Sequence, residues 1–88
     1  MAKTNRTWYI YVLQCADGTL YTGITVDPGR RVKTHNAGRG ARYTRTRLPV
    51  RLLASLPVAG QGEAMRLEKR IKTLTPRRKL AFFSGEAH

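Results

Sequence analysis

The sequence predicts a single small α+β domain, and three observations point to it. Two stretches of alternating polarity flank a turn tripeptide, a third alternating stretch follows a basic loop, and three segments carry helix-start signals or helical spacing. Residues 8–15 and 19–25 alternate with period two around Ala16-Asp17-Gly18, which reads as two antiparallel strands and a tight turn. Loop length decides which side chains meet. A two-residue turn at Asp17-Gly18 would set Trp8, Ile10 and Val12 beside Thr19, Tyr21, Gly23 and Thr25, wasting the apolar face. A three-residue loop aligns them with Leu20, Thr22 and Ile24 and leaves Gly18 where a left-handed residue is wanted. The three-residue loop is therefore expected, and it gathers Tyr9, Tyr11, Tyr21 and Gly23 on the opposite face.

Asp27-Pro28 opens a helix, with Asp27 as cap and Pro28 at the first helical position, and Gly38 marks its end. Residues 36–49, NAGRGARYTRTRLP, show no period and read as a mobile basic loop. Residues 50–56, VRLLASL, form a third strand. A second helix runs from about Gln61 to Leu74, burying Ala64, Leu67, Ile71 and Leu74. Thr75-Pro76 opens a short terminal helix through Phe83, with Leu80 and Phe83 closing over the core and the last five residues fraying. No repeat, low-complexity tract or linker divides the chain, so residues 1–88 are expected to form one domain with its core at about 8–83.

Composition narrows the function. Lysine and arginine number 17 against 5 acids, a net charge of +12, and the natural partner of such a field is a polyanion. Nucleic acid leads, with DNA ahead of RNA. No apolar run approaches the roughly 18 residues of a spanning helix, no lipidation signal is present, and the basic N-terminus lacks a signal-peptide core. The expectation is a cytoplasmic protein with no membrane partner. The single cysteine, Cys15, excludes an internal disulfide and a cysteine-rich zinc site, and reads as a reduced, semi-buried strand residue.

Four pieces of sequence stand at telling separations: YIY at 9–11, YTG at 21–23, RRVKTH ending in His35, and LEKRIK containing Glu68. Together they resemble the GIY-YIG nuclease superfamily, most closely its small stand-alone bacterial members, from Trp8 to about Leu80. The first tripeptide begins with Tyr9 where the family name has glycine, and the second has Thr22 where it has isoleucine. The resemblance implies a three-stranded antiparallel sheet flanked by helices, catalytic positions at Tyr11, Tyr21, Arg31 and His35, and a metal-binding Glu68.

Hydrolysis of a phosphodiester needs a positioned water, charge stabilisation on the phosphoryl oxygens, and help for the leaving group. Arg31 and His35, four apart on one helix, lie about 40° apart around its axis and could touch one phosphate. Arg31, a planar fork of donors, suits the scissile phosphate. Tyr21 or Tyr11 would orient or deprotonate the water, and a nearby arginine, a metal ion and the positive field favour phenolate. His35 would relay a proton, or hold a tyrosine or phosphate by hydrogen bonding. Asp17 belongs to a turn, Asp27 to a cap and Glu86 to a tail, leaving Glu63 and Glu68, which point about 140° apart on their helix. At most one ion is then supported, held by Glu68, water and substrate phosphate. Magnesium tolerates such sparse ligation, and binding without substrate should be weak.

In the basic loop, Arg39, Arg42, Arg45 and Arg47 are expected to contact nucleic-acid phosphates, with Tyr43 as a stacking platform. The reading is a magnesium-dependent endonuclease of DNA, acting at branched, damaged or single-stranded sites in repair or processing. The alternative is a non-catalytic nucleic-acid-binding module of the same fold. The small size leaves room for a protein partner that supplies targeting.

Overall fold

The computed structural model describes residues 7–85. Glu86 and the rest of the tail expected to fray lie outside them, whereas Ser84 and Gly85 belong to the end of the last helix and its cap. Strands β1 (Trp8–Gln14), β2 (Leu20–Thr25) and β3 (Arg51–Val58) form one antiparallel sheet in the order β2-β1-β3. Helices are α1 (Pro28–Asn36), α2 (Arg42–Arg45), α3 (Gln61–Ile71) and α4 (Pro76–Ser84). The fold is α+β, as expected.

The hairpin has the register that its polarity demands. Ile10 faces Ile24, Val12 faces Thr22, and Tyr11 faces Gly23. The Cys15 amide donates to the Thr19 carbonyl, which encloses a loop of residues 16–18, and Gly18 takes φ +87°. That left-handed conformation costs little only in glycine. Asp27 accepts from the Arg30 amide at the start of α1, and Thr75 accepts from the Arg78 amide at the start of α4, each followed by proline.

Central position explains the burial of β1. Ile10 and Val12 on one face, and Tyr11 and Leu13 on the other, are all sealed from solvent. On the second face Tyr11, Leu13, Cys15 and Val50 pack with Val32 of α1, Tyr21 and Leu48. Cys15 is a free thiol, buried at the exit of the strand. Strand β3 is an edge, so Pro57 is accommodated opposite Tyr9 and the strand runs two residues past its expected end. A bulge between the pairs Val12–Ala54 and Leu13–Leu52 shifts its register.

Three expectations change. Leu80 is 43 % exposed and does not close over the core, whereas Lys79 is buried. Phe82 and Phe83, in edge-to-face contact and half-buried, share a face with Lys79 by helical spacing. Helix α3 ends at Ile71, with Ala64 and Ile71 buried and Leu67 and Leu74 only partly so. The basic loop has a built conformation containing α2. Asn36 clamps it by donating from Nδ2 to the Val50 carbonyl (3.0 Å) and accepting from the Val50 amide (2.7 Å).

Candidate active site

Tyrosines 11 and 21 reach one face of the sheet because strand pairing gives them the same parity. Their ring centroids lie 6.5 Å apart. Helix α1 lays Arg31 and His35 over this face, and α3 brings Glu68 within electrostatic range of Tyr11. All five residues singled out from the sequence therefore converge.

Their depths differ, which the sequence did not foretell. Tyr11 is 1 % exposed and His35 is fully buried, while Tyr21, Arg31 and Glu68 are half-buried. The Tyr11 hydroxyl lies 3.1 Å from His35 Nε2, and His35 Nδ1 lies 2.8 Å from Thr44 Oγ1. Thr44, itself fully buried, donates its hydroxyl proton to the Ala41 carbonyl at 2.9 Å. Its oxygen can then only accept from His35, so Nδ1 carries the imidazole proton and Nε2 accepts from Tyr11. His35 thus has both nitrogens engaged and no solvent access. Fully buried and with both ring nitrogens engaged by Tyr11 and Thr44, His35 is not placed to make the expected phosphate contact.

Burial also reverses the expected protonation of Tyr11. Desolvation raises its pKa above the ordinary 10.0, against the pull of a hydrogen bond with Arg31. The resting group is a phenol, not the phenolate expected from the positive surroundings. Desolvation, helped by the Arg31 charge, lowers His35 below its ordinary 6.5 and keeps the imidazole neutral. A neutral acceptor faces a protonated donor. That is the starting state of a proton relay.

Two glycines allow the close approach. A Cβ on Gly23 would stand 2.5 Å from the Tyr11 hydroxyl oxygen, and one on Gly40 would collide with His35 Nδ1. Thr44, Gly40 and Lys72 were missed by sequence reasoning, since nothing local distinguishes them from loop and surface residues. The ammonium of Lys72 sits 3.3 Å from Glu68 Oε2 and 5.5 Å from the Tyr21 ring centroid.

Tyr43 has less freedom than expected of a stacking platform. Its ring stacks on Tyr21 (centroids 6.0 Å, planes 24° apart), and the Arg47 guanidinium lies 3.9 Å from its centroid. Arg47 also donates to Asp17 at 3.1 Å and to the Tyr43 carbonyl at 2.7 Å. These contacts brace α2 against the hairpin turn and leave Arg47 partly exposed, whereas Arg39, Arg42 and Arg45 are exposed.

The family model described as the GIY-YIG catalytic domain matches residues 7–81. The chain belongs to the GIY-YIG family. A UPF0213 protein of Streptococcus agalactiae is 55 % identical over 74 residues, covering 84 % of each chain. One from Halobacterium salinarum is 52 % identical over 75 residues, covering 85 % of this chain and 97 % of its own. The solution NMR structure of a UPF0213 protein from Bacillus halodurans shares 46 % identity at a TM-score of 0.54, covering 89 % of this chain and 83 % of that one. That of a protein from E. faecalis shares 32 % identity at a TM-score of 0.61, covering 99 % and 94 %. The chain is thus similar to small GIY-YIG proteins, a nuclease-type family, and the fold expected of them is present. Among the described residues no helix is long and apolar enough to cross a membrane.

As a metal site this GIY-YIG constellation is sparse. Among the described residues no three of His, Cys, Asp and Glu converge. Glu68 is the carboxylate within electrostatic range of Tyr11, and it is itself paired with Lys72 (3.3 Å), as Glu63 is with Arg66 (2.7 Å). One half-buried carboxylate fits a hard cation that keeps mostly water and phosphate ligands.

Proposed function

We propose that this GIY-YIG protein is a magnesium-dependent endonuclease that hydrolyses phosphodiester bonds in DNA. The observation that carries this reading is the buried hydrogen bond from the Tyr11 hydroxyl to His35 Nε2, with Arg31 and Glu68 in electrostatic range. Arg31 binds the scissile phosphate and offsets the charge that develops on it. Tyr21, nearer to solvent, orients the attacking water. As the water oxygen bonds to phosphorus, its proton passes to the Tyr11 oxygen while the Tyr11 proton moves to His35 Nε2. The bond from phosphorus to the leaving oxygen breaks, and that oxygen takes a proton from solvent. No free phenolate is needed, which suits the raised pKa of Tyr11. Glu68 would hold the magnesium ion, which supplies Lewis-acid stabilisation of the phosphoryl and leaving oxygens. The exposed Arg39, Arg42 and Arg45 contact the DNA backbone without reading bases.

Purified protein should nick supercoiled plasmid or branched DNA in magnesium, and Glu68→Ala or Arg31→Ala should abolish nicking. Binding by Glu68→Ala should persist or tighten, because removing a carboxylate lessens repulsion of phosphate. Identical residual cleavage by wild type and Glu68→Ala would sink the enzyme reading and leave a binding module of the same fold.

A further inference from the structure

Beside the catalytic cluster, on the same face, lies an open cleft of about 530 Å³ between the end of β2, the start of α1 and Tyr9. Its size falls within the range of small-molecule sites. Arg30 and Arg31 line it together with Tyr9, Thr25 and Thr34. Arg31 is shared, since it also interacts with the Tyr11 hydroxyl. A phosphate held by Arg31 at the catalytic site is therefore at the mouth of this cleft.

The rings in this neighbourhood are otherwise occupied. Tyr11 packs against Tyr21 and His35, Tyr21 lies between Tyr43 and Lys72, and Tyr43 lies between Tyr21 and Arg47. Of the four tyrosines, Tyr9 alone has no ring or cation stacked on it among the described residues, and it is half-buried in the cleft wall. Arg30 is exposed and makes no ion pair among the described residues. Asp27 also borders the cleft, but its Oδ1 accepts from the Arg30 amide at the helix N-terminus, which offsets its charge.

We propose that this cleft is a nucleotide subsite that takes one unpaired nucleotide adjoining the scissile phosphate, with its base on the Tyr9 ring and its phosphate on Arg30. A base within a duplex is stacked and paired, and cannot enter a concavity of this size without leaving the stack. A base in a single-stranded segment enters freely and gains the stacking energy of an aromatic ring. The subsite makes single-stranded or flapped DNA the preferred substrate class. It rests on the endonuclease reading, but its binding chemistry can be measured apart from cleavage.

The test is fluorescence anisotropy in EDTA, comparing a single-stranded DNA decamer with the blunt duplex of the same sequence at fixed salt. Tyr9→Leu should weaken single-strand binding by roughly tenfold or more and leave duplex binding unchanged, and Tyr9→Phe should restore it. Arg30→Gln, on an exposed side chain, should weaken single-strand binding without disturbing the fold. A 2-aminopurine in the decamer should be quenched by wild type and Tyr9→Phe, and not by Tyr9→Leu. Equal loss on both DNAs, no loss on the single strand, or no binding of the single strand by wild type would overturn the subsite. Cleavage that depends on Glu68 together with binding indifferent to Tyr9 would leave the enzyme reading standing and remove the subsite. Binding dependent on Tyr9 without cleavage would do the reverse.

Discussion

His35 shows how little of a residue's role its type alone decides. From sequence it could relay a proton or hold either a tyrosine or a phosphate, and it lies sealed between Tyr11 and Thr44 with its tautomer fixed by a hydroxyl nine residues away. Thr44→Val removes the acceptor of Nδ1–H, frees the ring to adopt the other tautomer, and should lower kcat by about tenfold or more, while Thr44→Ser should retain activity. Because the folded His35 pKa lies below 6.5, activity should persist as pH falls past 6.5 and disappear as it falls through the folded value, where imidazolium can no longer accept the Tyr11 proton. Stability follows the same sign. The contribution of buried neutral His35 is complete above 6.5 and is lost as pH falls toward the folded pKa, since the unfolded chain binds the proton first. A kcat/KM profile and thermal melts from about pH 8 to 5 would read both effects. An acidic limb above 6.5 would contradict them.

At the level of elements, the hairpin was legible and α2 was not. Alternation and a glycine needing φ above zero specify β1, β2 and their three-residue loop through local chemistry. The basic loop has no such periodicity, and its conformation comes from distant partners: Asn36 at Val50, Arg47 at Asp17, and Thr44 beneath His35. Helix α4 starts where its cap and proline place it, but its inward side carries Lys79 and leaves Leu80 exposed. In β2, Thr22 is buried and its hydroxyl has no partner among the described residues. Thr22→Val keeps the shape of the side chain and relieves that desolvation. It should stabilise the protein by about 1 kcal/mol, raising Tm by roughly 4–8 °C for a chain of this size. An unchanged or lower Tm would mean that the hydroxyl is satisfied.

Across the whole molecule, a net charge of +12 on 88 residues makes salt the main control on binding. Each arginine that neutralises a phosphate releases a counterion, so affinity should fall steeply with ionic strength. Replacing Arg42 and Arg45 together by glutamine should weaken binding to all DNA sequences and make the slope of log K against log salt shallower by about 1.8. Arg47→Gln should instead lower thermal stability, because its guanidinium braces Tyr43 and Asp17. A salt slope untouched by the double replacement would remove α2 from the interface.

Local chemistry written along the chain specifies the α+β class, the hairpin register and both capped helix starts, while the set of residues that meet at the site followed from the GIY-YIG resemblance. Alternation, capping and turn chemistry act between near neighbours and are written in consecutive residues. Packing between distant segments buries Tyr11 and His35 while Tyr21 and Arg31 reach solvent, lets Thr44 set the histidine tautomer, and opens Tyr9 onto a cleft. Depth and protonation depend on which segments cover a group. For the central strand β1, covered on both faces, that is settled by the packing of elements far apart in the chain.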